Sequence, residues 1–122
     1  MNPLDRELEN GTYLIGARGP EQRVDYRTGY WVAEPQGLTT TYTPTLRQVA
    51  YAARTMGTAE GDYIGVWTGD DGVTYIDRAH HVTTERSAIR LGAVFDRLAV
   101  WDCRNDCEIE IPKETTGEGT NQ

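Results

Sequence analysis

Leu46, Val49, Ala50, Ala53 and Met56 recur at helical spacing and make one apolar stripe. Thr43 stands ahead of it as an N-cap, and Pro44 takes the first helical position, where a missing N–H is no loss. Gly57 closes this helix at C′. A second stripe of Ala88, Leu91, Gly92 and Phe95, with Ile89 alongside, predicts a helix that starts after Thr83-Thr84 and ends near Arg97. Glu85 complements the positive first turn of that helix. A glycine inside a helix costs about 1 kcal/mol relative to alanine. Gly92 therefore points to close approach of a neighbouring element.

Each stripe is followed by period-two alternation around a turn. Residues 64–77 read IGVWTGDDGVTYID and residues 98–111 read LAVWDCRNDCEIEI; they align without gaps at an offset of 34. Val66 matches Val100, Trp67 matches Trp101, and Asp71-Gly72 matches Asn105-Asp106, so the turn chemistry falls between β-branched flanks in both. The pattern predicts an αββ unit occurring twice, joined through the segment around His80-His81. Upstream, Thr12–Ile15 and Gly29–Ala33 read as strands, Gly19–Gln22 as a turn or loop, and Thr39–Thr41 as a link into the first helix. The expected order is β-β-α-β-β-α-β-β. That is an α+β fold, a mainly antiparallel sheet with two helices on one face.

The 122 residues suit a single domain. Residues 1–10 are polar and are expected to form a tail, the folded domain to run over 11–111, and 112–122 to be a disordered acidic tail. A formal charge of −7 argues against direct nucleic-acid binding and against docking on anionic membranes. No apolar run reaches the roughly 20 residues of a membrane helix. The opening MNPLDRELEN has no apolar signal stretch, so a cytoplasmic location is expected.

The catalytic signatures that can be read from one sequence are missing. Ser87 is the lone serine and has no nucleophile-elbow context, and there is no P-loop, dinucleotide fingerprint or zincin motif. Cys103 and Cys107 straddle the second hairpin turn, as free thiols or a local disulfide, and their spacing lacks the doubled pattern of a zinc site. His80 and His81 are the groups that titrate near neutrality, but neighbouring side chains on an extended chain point apart. No metal or other cofactor is expected. Asp70-Asp71-Gly72 is too short for a calcium loop.

Protein contact is the better use of the remaining features. Tyr30, Trp31 and Tyr42 lie outside the repeat and are candidates for surface contact, whereas Trp67 and Trp101 at matching repeat positions suggest structural roles first. Asp70, Asp71, Asp102, Asp106, Glu108 and Glu110 would form an acidic edge if the two hairpins lay side by side, and such an edge could mimic a phosphate backbone. Glu108-Ile109-Glu110 also resembles the acidic pair of ADP-ribosyltransferases, which would require Arg18 and Thr39–Thr41 in supporting roles. Alternation on an edge strand gives the same triplet without chemistry.

The run Val66-Trp67, Asp71-Gly72, Tyr75-Ile76-Asp77, Ala88-Ile89, Leu98–Asp102 and Glu108-Ile109 resembles small uncharacterised proteins encoded by phages and other mobile elements. The resemblance covers about two-fifths of the chain and brings no catalytic residues. The expectation is a non-enzymatic accessory protein that binds another protein, in host interaction or as an inhibitor. The alternatives are a nucleic-acid-mimicking inhibitor of a defence nuclease, a minor virion component and a transferase. Dimerisation through an exposed sheet edge is a further expectation.

Overall fold

The computed structural model describes residues 2–35 and 37–112. The chain is α+β, with antiparallel strands and two helices. A short 3-10 turn at Pro3–Asp5 leads to β1 (Gly11–Gly16), β2 (Gly19–Val24), β3 (Tyr30–Ala33) and β4 (Leu38–Thr40). Then follow α1 (Leu46–Thr55), β5 (Tyr63–Thr68), β6 (Thr74–Val82), α2 (Glu85–Val94), β7 (Ala99–Asp102) and β8 (Cys107–Glu110). The doubled αββ order is present, as α1-β5-β6 and α2-β7-β8. Four strands precede α1, where the apolar pattern suggested two.

The chain divides into two compact units. The first takes the described residues up to Asp25 together with Gly37 to Ala79; the second takes Tyr26–Pro35 and the described residues from His80 onward.

In the first unit the strand order is β2-β1-β5-β6-β4. Tyr13, Ile15, Ile64, Val66 and Ile76 from the strands meet Val49, Ala52 and Ala53 of α1, with Leu46 and Met56 packed at the margin. The expected N-cap at Thr43 moves to Thr45. The Thr45 hydroxyl accepts the Gln48 N–H and the Gln48 side-chain oxygen accepts the Thr45 N–H at 2.8 Å, a reciprocal cap. The helix ends as expected at Gly57: the Gly57 N–H bonds Arg54 O and the Thr58 N–H bonds Ala53 O.

Two other expectations are corrected in this unit. Residues 2–10 are not a free tail. Leu8 is 3% exposed in the core, its N–H bonds Pro44 O, and Arg6 O accepts the Leu46 N–H. That apolar side chain and those two backbone bonds seat a segment of polar composition, helped by the Tyr13 hydroxyl donating to Glu9 O and the Thr68 N–H donating to Asn10 Oδ1. The segment Gly19–Gln22 is strand rather than turn, because the reversal is confined to Ala17-Arg18 between the paired Gly16 and Gly19. Pro20 is tolerated there since β2 is an edge strand and the ladder is irregular beside it. The expected disordered tail falls, apart from Pro112, outside the described residues.

In the second unit β3, β7 and β8 lie in that order, and α2 packs on one side of them. Val32, Ala88 and Val100 are buried there, with Tyr30, Val82, Leu91, Phe95, Ile109 and Ile111 around them. The Thr84 hydroxyl accepts the Ser87 N–H and caps α2, which ends at Val94, earlier than the expected Arg97. Gly92 does mark a close approach. A methyl group there would run into the Ile111 side chain and come within 3.0 Å of Val100 Cγ1.

Candidate functional site

Alternation along the second unit's strands decides which side chains face α2 and which face away. Val32, Val100 and Asp102 are buried, so Trp31 and Trp101 between them point to the opposite side, each half-exposed. Trp31 stands opposite Trp101, and Trp101 opposite Glu108, which puts a Trp-Trp-Glu row across three adjacent strands. Ala99 stands opposite Glu110, so the second glutamate of the triplet shares that side and has a small neighbour. Both glutamates are exposed.

Tyr26 and His81 complete an aromatic cluster. The Tyr26 ring stacks on Trp31 with centroids 5.6 Å apart and planes 20° apart. His81 lies 4.3 Å from Tyr26 and 5.1 Å from Trp31, edge-on to the latter. Its Nε2 is 2.8 Å from Thr28 O, which fixes the ring. His80 points the other way, onto Phe95 at 5.5 Å and to Glu34. The two histidines diverge, as neighbours on a strand must, and sit near the end of β6. Neither Tyr26 nor His81 stood out in the sequence as part of this cluster. Tyr26 lies outside every apolar pattern, and the contacts to His81 join residues far apart in the chain.

The remaining candidates separate. Tyr30 packs against the second unit's core instead of facing out, and burial, with the Asp102 charge behind it, pushes its hydroxyl pKa up. Tyr42 is 53% exposed in the first unit. Asp70 is exposed in the β5–β6 turn; Asp71 accepts the Val73 N–H and the Tyr75 hydroxyl, and its charge raises the tyrosine pKa. Asp106 is exposed in the β7–β8 turn.

Asp102 is corrected from a contact residue to a turn-forming one. It is 4% exposed, its Oδ1 accepts the N–H groups of Arg104 and Asn105, and its Oδ2 accepts the Asn105 side-chain amide at 2.7 Å. The Asn105 amide above all, then these backbone donors, hold its carboxyl below the usual carboxylate range against the opposing effect of burial. Asp102 is thereby withdrawn from any acidic edge. Arg18 and Thr39–Thr41 belong to the first unit and Glu108 and Glu110 to the second.

Cys103 and Cys107 are free thiols. Burial, then the charges of Asp102 and Asp106, raise the Cys103 thiol, so its thiolate is scarce near neutrality. Among the described residues no three His, Cys, Asp or Glu side chains converge to hold a metal ion, and no helix is long and apolar enough to cross a membrane. No protein-family model, curated protein or solved structure matches the chain.

Proposed function

We propose that this chain acts by binding another protein, and that its contact face is the side of β3, β7 and β8 turned away from α2. The observation that carries the reading is the Tyr26–Trp31–His81 cluster, three rings in mutual contact and partly exposed on that side. Rings of this kind give large contact area at low conformational cost and dominate the energetics of protein interfaces. Trp101 extends the cluster along the strand row. A host-interaction or inhibitor role for a phage or mobile-element accessory protein fits this reading and the Val-Trp pattern. The nucleic-acid-mimic alternative is the weaker one, since Asp102 spends its carboxylate inside its own turn.

Affinity capture with the immobilised chain, eluted in salt steps, tests the proposal. Tyr26→Ala and Trp31→Ala should lose a partner that the unaltered chain retains, while Tyr51→Ala, a 63%-exposed ring in the first unit, should keep it. Retention of the partner by folded Tyr26→Ala and Trp31→Ala variants would refute the face. An aromatic interface holds into high salt; elution at low salt would favour acidic mimicry.

A further inference from the structure

We infer that the first unit binds a small zwitterion, with the size and charges of a free amino acid, in a cleft between the β1–β2 turn and the C-terminal end of α1. The cleft belongs to the first unit alone, so this inference stands or falls independently of the contact face proposed on the second. Its volume is about 200 Å³. One water occupies about 30 Å³ of liquid, so the space suits a molecule of about six or seven non-hydrogen atoms. Arg18 and Gly19 line it from the turn, Ala50 and Arg54 from the helix, and Thr58 and Glu60 from the loop that follows. Gly19 has a φ of 110°, and a methyl group on it would come within 2.9 Å of Ala50 Cβ. The turn thus meets the helix through two of the smallest side chains, and the charged residues line the space beside that contact.

Three charges share this cleft and none is paired. The guanidinium groups of Arg18 and Arg54 and the Glu60 carboxylate make no ion pair or hydrogen bond with one another or with any other described residue. Opposite charges are therefore held apart around one opening. Thr58 adds a fourth group: its Oγ1 is shut off from solvent and has no partner, the one such side-chain atom among the described residues. The Thr58 N–H donates to Ala53 O and fixes the backbone, while rotation about Cα–Cβ can turn the hydroxyl toward an entering ligand. An unpaired buried hydroxyl is destabilising, and a ligand that pairs it recovers that loss. Arg54 also complements the dipole of α1, but that explains neither Arg18 nor Thr58.

A ligand of a single charge leaves part of this set unmet. A carboxylate satisfies the two arginines, whose planar forks match its oxygens, and accepts the Thr58 hydroxyl. An ammonium on the same molecule satisfies Glu60, which follows the negative C-terminal end of α1. Inorganic phosphate meets the arginines and opposes Glu60. A peptide chain exceeds the volume.

The test titrates the full chain with L-alanine, and separately with acetate, methylammonium and inorganic phosphate, while backbone amide NMR shifts are followed. Alanine should saturate in the millimolar range and shift the amides of residues 16–19, 54 and 58–60, with each single-charge probe at least about tenfold weaker. Arg18→Gln with Arg54→Gln should weaken alanine at least about tenfold, and Glu60→Gln or the isosteric Thr58→Val about threefold. The three charged side chains are exposed, so their neutralisation leaves the core intact. No saturable shift, phosphate or acetate binding as tightly as alanine, or unchanged binding in the Glu60→Gln or Thr58→Val chain would each overturn the inference.

Discussion

In the first unit Gly57 ends the helix and Gly72 turns the hairpin, with φ of 74° and 81°. In the second unit the same two structural positions hold Asp96 and Asp106, with φ of 57° and 56°. Gly72 and Asp106 fall at the repeat offset of 34, and both helices close with the same pair of backbone bonds, Asp96 N–H to Ala93 O and Arg97 N–H to Gly92 O in the second. An L-residue in the left-handed region costs about 1–2 kcal/mol, less for Asp, whose side chain bonds locally. The second unit thus carries backbone strain that the first avoids. Among the described residues it also has the smaller core cluster, three buried apolar residues against nine. The unit with more strain and fewer buried apolar residues is also the one that holds the Tyr26–Trp31–His81 cluster on which the proposed contact face rests.

The comparison is broken most directly in the cores. Ile64→Ala, at a fully buried site of the first unit, should cost about 3 kcal/mol in urea unfolding. Val32→Ala, its fully buried counterpart in the second, should cost about 2 kcal/mol. A larger loss at Val32 would invert the ranking. Gly92→Ala should destabilise by about 1–2 kcal/mol, because the added methyl has to displace Ile111 and press on Val100 despite the better helix propensity. A gain in stability would mean that α2 approaches the strands less closely.

The closing residues sharpen the contrast further. Gly57→Ala and Gly72→Ala should each lose about 1 kcal/mol, whereas Asp96→Gly and Asp106→Gly should each gain about 0.5 kcal/mol, measured by thermal unfolding. The smallest effect is confined to acid. The folded-state pKa of Asp102 is depressed, so its contribution is present in full above the unfolded value of about 3.9 and is lost as pH falls through the folded one. Asp102→Asn should remove that part of the acid dependence of stability and leave the slope from other carboxylates.

Both helices, both hairpins and the tight site at Gly92 were legible because local periodicity and turn chemistry specify them. The cap was misplaced: Pro44 drew the expected N-cap to Thr43, whereas the Thr45 and Gln48 pair forms it. β2 and β4 were hidden. Gly19-Pro20-Glu21-Gln22 has turn composition although Pro20 sits on an edge, and Leu38–Thr40 is too short to show alternation. Of the proposed face, Trp31 was a candidate from its residue type, whereas assigning Trp101 the same side required the burial of Val100 and Asp102 around it. Asp102 misled because an exposed carboxylate and a turn-closing one look alike in sequence.

Hydrogen–deuterium exchange on the free chain and on its complex with the captured partner is the most direct trial of this account. The prediction is faster exchange in the second unit's strands than in β1, β5 and β6 when free, and new protection within residues 26–31 and 99–110 on binding. Protection confined instead to the first unit, around Tyr42 or the Asp70-Asp71 turn, would contradict it.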